Sequence, residues 1–221
     1  MTSPTIDPKH VLILGAGPGL GAALARCFGR EGFAVTVVGR REPKLADLAG
    51  PLRSAGISVD TITADAADAP GFRKTVEDLA QRITPGVVVY NAALVASDSV
   101  LTADSDYLLS AYTVDVLGAI SAAQVFTPAM RKASAGTFLA TGGDPRPAYA
   151  TLSLGKAALR AAVTLMHDEL KTHGVHAASI TIEGAIAPGT AFDPDRIADA
   201  YWNVHAQPAA EWTAETHFDG G

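Results

Sequence analysis

The stretch His10-Val11-Leu12-Ile13-Leu14-Gly15-Ala16-Gly17-Pro18-Gly19-Leu20-Gly21 decides the fold. His10–Leu14 carries no polar alternation, which reads as a strand covered on both faces. Glycines then break the run, and Leu20, Leu24, Cys27 and Phe28 recur at helical spacing until Gly32. A strand, a glycine turn and a helix in this order form a site for a dinucleotide pyrophosphate. Glycine lets the backbone approach the anion, and the helix N-terminus supplies N–H groups and a favourable dipole. A tight turn without a ligand is the plain alternative. A secretory leader would need a longer apolar run than these glycines allow.

The same alternation continues outward. Phe33–Val38 reads as a strand, Leu45, Leu48 and Leu52 as a helix bent or ended near Pro51, and Ile57–Ala64 as a strand. Phe72, Val76, Leu79 and Ile83 mark a helix, and Gly86–Tyr90 an apolar strand. A long helix is expected over Asp106–Arg131, a strand over Thr137–Thr141, a helix over Ala148–His173 and a strand over Val175–Ile182. Asp193 as N-cap before Pro194 opens a last helix to about His205. Strands separated by helices require crossover connections. The expected fold class is therefore α/β: a doubly wound parallel sheet in a three-layer sandwich, one domain over residues 1–221.

Composition narrows the function classes. Hydrophobic residues make up 48% and charged ones 18%, which supplies a large core and excludes extended disorder. A net charge of −6 argues against nucleic-acid partners. No uninterrupted apolar window of membrane length occurs, so no span is expected. Cys27 is the only cysteine; it reads as an inert core thiol and fits a reducing, cytoplasmic setting. The six histidines show no paired metal spacing, and no metal is expected. No G-x-S-x-G elbow is present, which removes the serine-hydrolase reading.

Glycine spacing carries the next step. The pattern G-x-x-x-G-x-G fits Gly15, Gly19 and Gly21, with Gly17 extra and Leu20 at the sixth position. Together with Asp65-Ala66 after the third strand, Asn91-Ala92-Ala93 after the fourth, and Lys156, the chain resembles the short-chain dehydrogenase/reductase superfamily over nearly its whole length. The resemblance implies a Rossmann-like domain. Its cofactor would lie on Gly15, Gly17, Pro18, Gly19, Leu20, Gly21, Asp65, Ala66, Asn91, Ala92, Ala93 and Lys156. At the end of the second strand, where an acid would favour NAD(H), stand Arg40 and Arg41, whose guanidinium forks suit a 2′-phosphate. NADP(H) is therefore the expected cofactor, ahead of NAD(H).

The resemblance also implies a tyrosine four residues before Lys156, a serine on the preceding strand end and an asparagine on the long helix. Leu152 stands in the tyrosine position, Thr141 is the hydroxyl nearest the serine position, and Asp115 replaces the asparagine. Candidate catalytic residues are thus Lys156, Tyr149, Thr141 and Asp115, with Tyr149 able to act as an acid if the helix already includes it. Ser153 is expected to pack elsewhere. Residues 184–221 are expected to form a substrate-side or oligomer segment, in which Tyr201, Trp202 and Trp212 either complete the core or wall a pocket. The family resemblance implies a homodimer or homotetramer. Two functions stand side by side: a divergent oxidoreductase moving a hydride between NADPH and a small carbonyl substrate, and a non-catalytic nucleotide-binding sensor or oligomerisation module.

Overall fold

A computed structural model describes residues 6–221. Seven parallel strands form one sheet: β1 (Asp7–Leu14), β2 (Ala34–Gly39), β3 (Val59–Thr63), β4 (Pro85–Tyr90), β5 (Thr137–Gly143), β6 (His176–Ile182) and β7 (Glu215–Phe218). Their order is β3-β2-β1-β4-β5-β6-β7, so the chain reverses its winding direction between β1 and β4. The intervening helices are α1 (Leu20–Arg30), α2 (Glu42–Ser54), α3 (Ala69–Ala80), α4 (Ser105–Tyr112), α5 (Gly118–Ala133), α6 (Ala150–Lys171) and α7 (Pro194–His205). The sandwich is doubly wound, with helices on both faces.

Strand periodicity fills both layers. Val11, Ile13, Val87, Val89 and Leu139 face α1, α2 and α7, while Leu12, Leu14, Val88, Tyr90, Phe138 and Ala140 face the other layer. Each large side chain buried this way stabilises the fold by about 1.5–3 kcal/mol. The small residues Ala119, Ala122 and Ala123 let α5 lie close to the sheet.

Several sequence expectations shift at the boundaries. β1 begins at Asp7, whose amide donates to the Thr84 carbonyl, and β3 is shorter than expected. Pro51 does not end α2; the helix continues to Ser54 because a proline removes one bond without removing the neighbouring ones. The expected long helix is interrupted by a π-turn at Thr113–Leu117. The Tyr90 hydroxyl donates to the Val114 carbonyl within that turn. The stretch Ser105–Ala133 spans 29 residues and contains an 18-residue window of mean hydropathy 1.4, long and apolar enough by composition to cross a membrane. Its buried residues, among them Phe126 and Met130, belong to the domain core.

The C-terminal aromatics divide differently from the pocket-wall expectation. Tyr201 is fully buried, Trp202 meets Phe28 and Phe33 edge-on, and Trp212 stacks on His176 at 4.8 Å. None of the three lines a cavity at the carboxyl ends of the strands. Strand β7 ends at Phe218, so Asp219-Gly220-Gly221 lies just past the sheet. Cys27 is buried, and burial pushes its thiol up to about 11, as suits an inert group.

Candidate functional site

The site begins where β1 turns into α1. Gly15 has φ +92°, and a side chain there would strike the backbone of Ala92. Only glycine fits both demands. At Gly17 and Gly19, by contrast, a Cβ would meet nothing within 4 Å, and Gly17 lines the groove that starts here. Gly19 is the N-cap of α1 and offers no side chain to the first-turn amides. Open backbone beside uncapped N–H groups fits a pyrophosphate.

From this turn a groove of about 270 Å³ runs along Gly39, Arg40, Arg41, Lys44, Asp65, Ala66, Asn91, Ala92 and Ala93. Arg40 and Arg41 are exposed at its end. Lys44, on the first turn of α2, adds a third cation that the sequence reading missed; its place three residues after Arg41 on a helix is the signal that would have found it. Such a donor set suits a phosphate monoester beside a ribose. Asp65 accepts from the Ala67 amide at 3.0 Å, so part of its carboxylate shapes the local turn.

Asn91 is fully engaged. Its Nδ2 donates to the Gly15 carbonyl at 2.8 Å, and its Oδ1 accepts from the Thr141 hydroxyl at 2.8 Å. Thr141 in turn accepts from the buried Tyr201 hydroxyl at 2.6 Å. This chain of bonds ties α7, β5, β4 and the glycine turn together. Sequence reasoning did not find Tyr201 here, because its periodicity is that of an ordinary core residue.

A second cavity of about 440 Å³ adjoins the groove and shares Asn91, Ala93 and Val95 with it. Leu20, Leu152, Ile182, Ala185 and Ile186 give it apolar walls; Thr141, Tyr149, Ser153, Arg146, Asp144 and Lys156 supply its polar groups. Lys156 is buried, and its ammonium donates to the Thr141 carbonyl at 2.7 Å. Burial holds that ammonium below its ordinary range, partly offset by the Asp115 charge. Asp115 is itself 0% exposed; its Oδ1 accepts from the Leu94 amide at 2.9 Å, and its Oδ2 has no partner among the described residues. Burial raises its carboxyl to about 6, against the opposing pull of Lys156.

The sequence pattern of the short chain dehydrogenase family matches residues 9–191. The chain belongs to this family. An uncharacterized oxidoreductase of Staphylococcus aureus is 28% identical over 221 residues, 92% of this chain and 93% of that protein. The short-chain dehydrogenase/reductase SDRA of Arabidopsis thaliana is 27% identical over 188 residues, 83% of this chain and 71% of that one. Among solved structures, a short-chain dehydrogenase from Rhodopseudomonas palustris superposes with a TM-score of 0.85 at 23% identity, covering 96% of this chain and 99% of that one. A metagenomic short-chain oxidoreductase in complex with NADP gives 0.84 at 22% identity, covering 97% of both chains. These two likenesses establish the fold.

In this member of the family, the proton-handling groups differ from expectation. Leu152 lines the cavity one turn before Lys156, and no hydroxyl stands there. Tyr149 is the N-cap of α6, with φ −136° and ψ 55°, so it precedes the helix that was to aim it. It still lines the cavity. Ser153, expected to pack elsewhere, also lines the cavity, but its hydroxyl donates to the Tyr149 carbonyl at 2.8 Å and accepts from the Arg146 amide at 2.8 Å. Asp98, unnoticed in the sequence, accepts from the Thr151 amide at 3.2 Å and so caps α6 from a distant loop. Among the described residues, no three His, Cys, Asp or Glu side chains converge as a metal set.

Proposed function

We propose that the protein is an NADP(H)-dependent oxidoreductase that moves a hydride between NADPH and a small, largely apolar carbonyl compound. One observation carries this reading: a continuous cleft runs from the cations Arg40, Arg41 and Lys44, past the open backbone of Gly17 and Gly19, to Lys156 and an apolar cavity of about 440 Å³. That is the chemical order of a phosphorylated dinucleotide followed by a substrate, at the point where the strand order reverses. When bound, the reduced nicotinamide supplies the hydride.

The chain's own residues divide the remaining work. Gly17, Gly19 and the first turn of α1 hold the pyrophosphate, and Arg40, Arg41 and Lys44 hold the 2′-phosphate. Lys156 donates one proton to a ribose hydroxyl. Thr141 and Asn91 fix one wall of the cavity through their mutual bond. Leu152, Ile182 and Ile186 exclude water from the reacting carbonyl.

A homodimer is part of the proposal. Leu109 and Leu165 are each 66% exposed, and Tyr112, Leu117 and Leu154 are exposed with them, all on the stretch from α4 to α5 or on α6. Exposed leucines on adjoining helices suit burial against a second copy.

Titration of NADPH and NADH against thermal stability tests the cofactor reading. NADPH should raise the melting temperature at lower concentration than NADH. Loss of NADPH absorbance with aldehydes and ketones tests turnover; stabilisation by NADPH without turnover would favour the non-catalytic module.

A further inference from the structure

We infer that Lys156 itself delivers the proton to the substrate oxygen, in place of the absent hydroxyl at position 152. The inference rests on the reductase reading above. It follows from asking what each polar group at the cavity has left to give.

The Thr141 hydroxyl proton is spent on Asn91, and its oxygen accepts from Tyr201. Tyr201 is fully buried, and burial pushes its phenol up, with no cation beside it to hold a phenolate. The Ser153 hydroxyl is bound to the backbone at Tyr149. Tyr149 sits ahead of α6 at the rim. Asp115 does not line the cavity, being packed behind Gly155. Lys156 remains. Of its three ammonium protons, one is placed on the Thr141 carbonyl and one is assigned above to the cofactor ribose; no acceptor among the described residues takes the third. Leucine at position 152 leaves its approach to the cavity without a competing hydroxyl.

The step balances. The carbonyl carbon gains the hydride, and the carbonyl oxygen takes a proton from Nζ. The N–H bond pair stays on Nζ as the lone pair of a neutral amine, which water reprotonates once the product has left the cavity. Positive charge leaves Lys156 in this step while the oxidised cofactor would gain one, so the net charge of the site is unchanged.

The groups that bear on this ammonium are few. Asp115 faces it from the π-turn; Asp144, Arg146 and Tyr149 stand on the segment between β5 and α6. Asn91 stands at the end of β4, and Gly184–Ile186 bring no ionisable group. Tyr107 on α4 is linked to the set through Asp115, whose charge, after burial and Asp98, raises its phenol.

Two readouts test the assignment. First, the lysine Cε resonances of the ligand-free protein are followed by NMR against pH, with Lys156 identified by its loss in Lys156→Arg. Lys156 should titrate below the other lysines; titration together with them would overturn the inference. Second, NADPH oxidation by hexanal, benzaldehyde and 2,3-hexanedione is followed against pH. The rate should fall on the alkaline side with the midpoint seen by NMR. Lys156→Arg keeps the charge but releases no proton; it should retain NADPH binding within about tenfold and lose roughly 10²–10⁴-fold in turnover. Tyr149→Phe should change KM and leave the alkaline midpoint in place. Undiminished turnover in Lys156→Arg, or an alkaline limb removed by Tyr149→Phe, would overturn the assignment. Wild-type protein that binds NADPH but reduces none of the three carbonyls would instead remove the reductase reading, and this inference with it.

Discussion

The carboxylate of Asp115 lies against the α-carbon of Gly155: a methyl group there would come within 2.5 Å of Oδ2 and 2.8 Å of the Asp115 Cβ. The π-turn and α6 meet at this point, directly behind Lys156. Gly155→Ala gains about 1 kcal/mol of helix propensity, but it forces a buried acid to move, which costs roughly 1–3 kcal/mol. Urea unfolding should show a net loss of up to about 2 kcal/mol. An unchanged or raised midpoint would mean that the junction is looser than the contact implies.

Asp115→Asn should stabilise the protein in a pH-dependent way. The folded-state carboxyl sits at about 6, above its unfolded value. Its contribution is therefore full below the unfolded pKa near 3.8 and lost as pH rises through 6. Above pH 6 the buried charge is a cost that asparagine removes, while the loss of the carboxylate beside Lys156 returns part of the gain. A net gain of roughly 1–2 kcal/mol is expected at pH 8 and none below pH 4. Melting curves at the two pH values decide it.

His205 should make the protein acid-sensitive. Burial, with Lys9 and His176 adding to it, holds this imidazole down at about 4, while its Nδ1 meets the Thr137 hydroxyl at 2.9 Å. The unfolded chain therefore takes up the proton first. Stability present above pH 6.5 should fall as pH drops towards 4, by about 3 kcal/mol from this group. His205→Gln should flatten that limb in denaturant titrations across pH; an unaltered limb would place the acid sensitivity elsewhere.

Arg40→Asp should reverse cofactor preference. Removing a charge-assisted bond to a phosphate costs about 1.5–3 kcal/mol, roughly ten- to hundredfold in NADPH affinity. The new carboxylate can accept from a ribose hydroxyl, so NADH affinity should hold or rise. Calorimetric titration of both nucleotides gives the ratio, and an unchanged ratio would clear Arg40 of the phosphate role.

Placing glutamate at both Leu109 and Leu165 should leave a folded monomer. Each carries an exposed apolar side chain on the stretch from α4 to α5 or on α6. Sedimentation of the wild type should show a dimer, and that of the double variant a species of half the mass with an unchanged circular dichroism spectrum. A monomeric wild type would end the dimer proposal.

The sequence by itself determined the layer order, the glycine turn and the arginines at the end of β2. Each of these is written locally: a strand's apolar run, a glycine where φ must be positive, a guanidinium one residue past a strand. It also revealed, through Leu152, that a hydroxyl is absent, because position along one helix is enough to know what is missing. Tertiary structure alone decided what the remaining polar groups are free to do. Thr141 looked available until Tyr201 and Asn91, 60 and 50 residues away, took its lone pair and its proton. Tyr149 looked like part of a helix until Asp98, 53 residues before Thr151, capped that helix beyond it by accepting from the Thr151 amide. Hydrogen bonds between residues far apart in the chain leave no periodic trace, and burial, which sets the charge state of Lys156 and Asp115, exists only once the layers have closed over them.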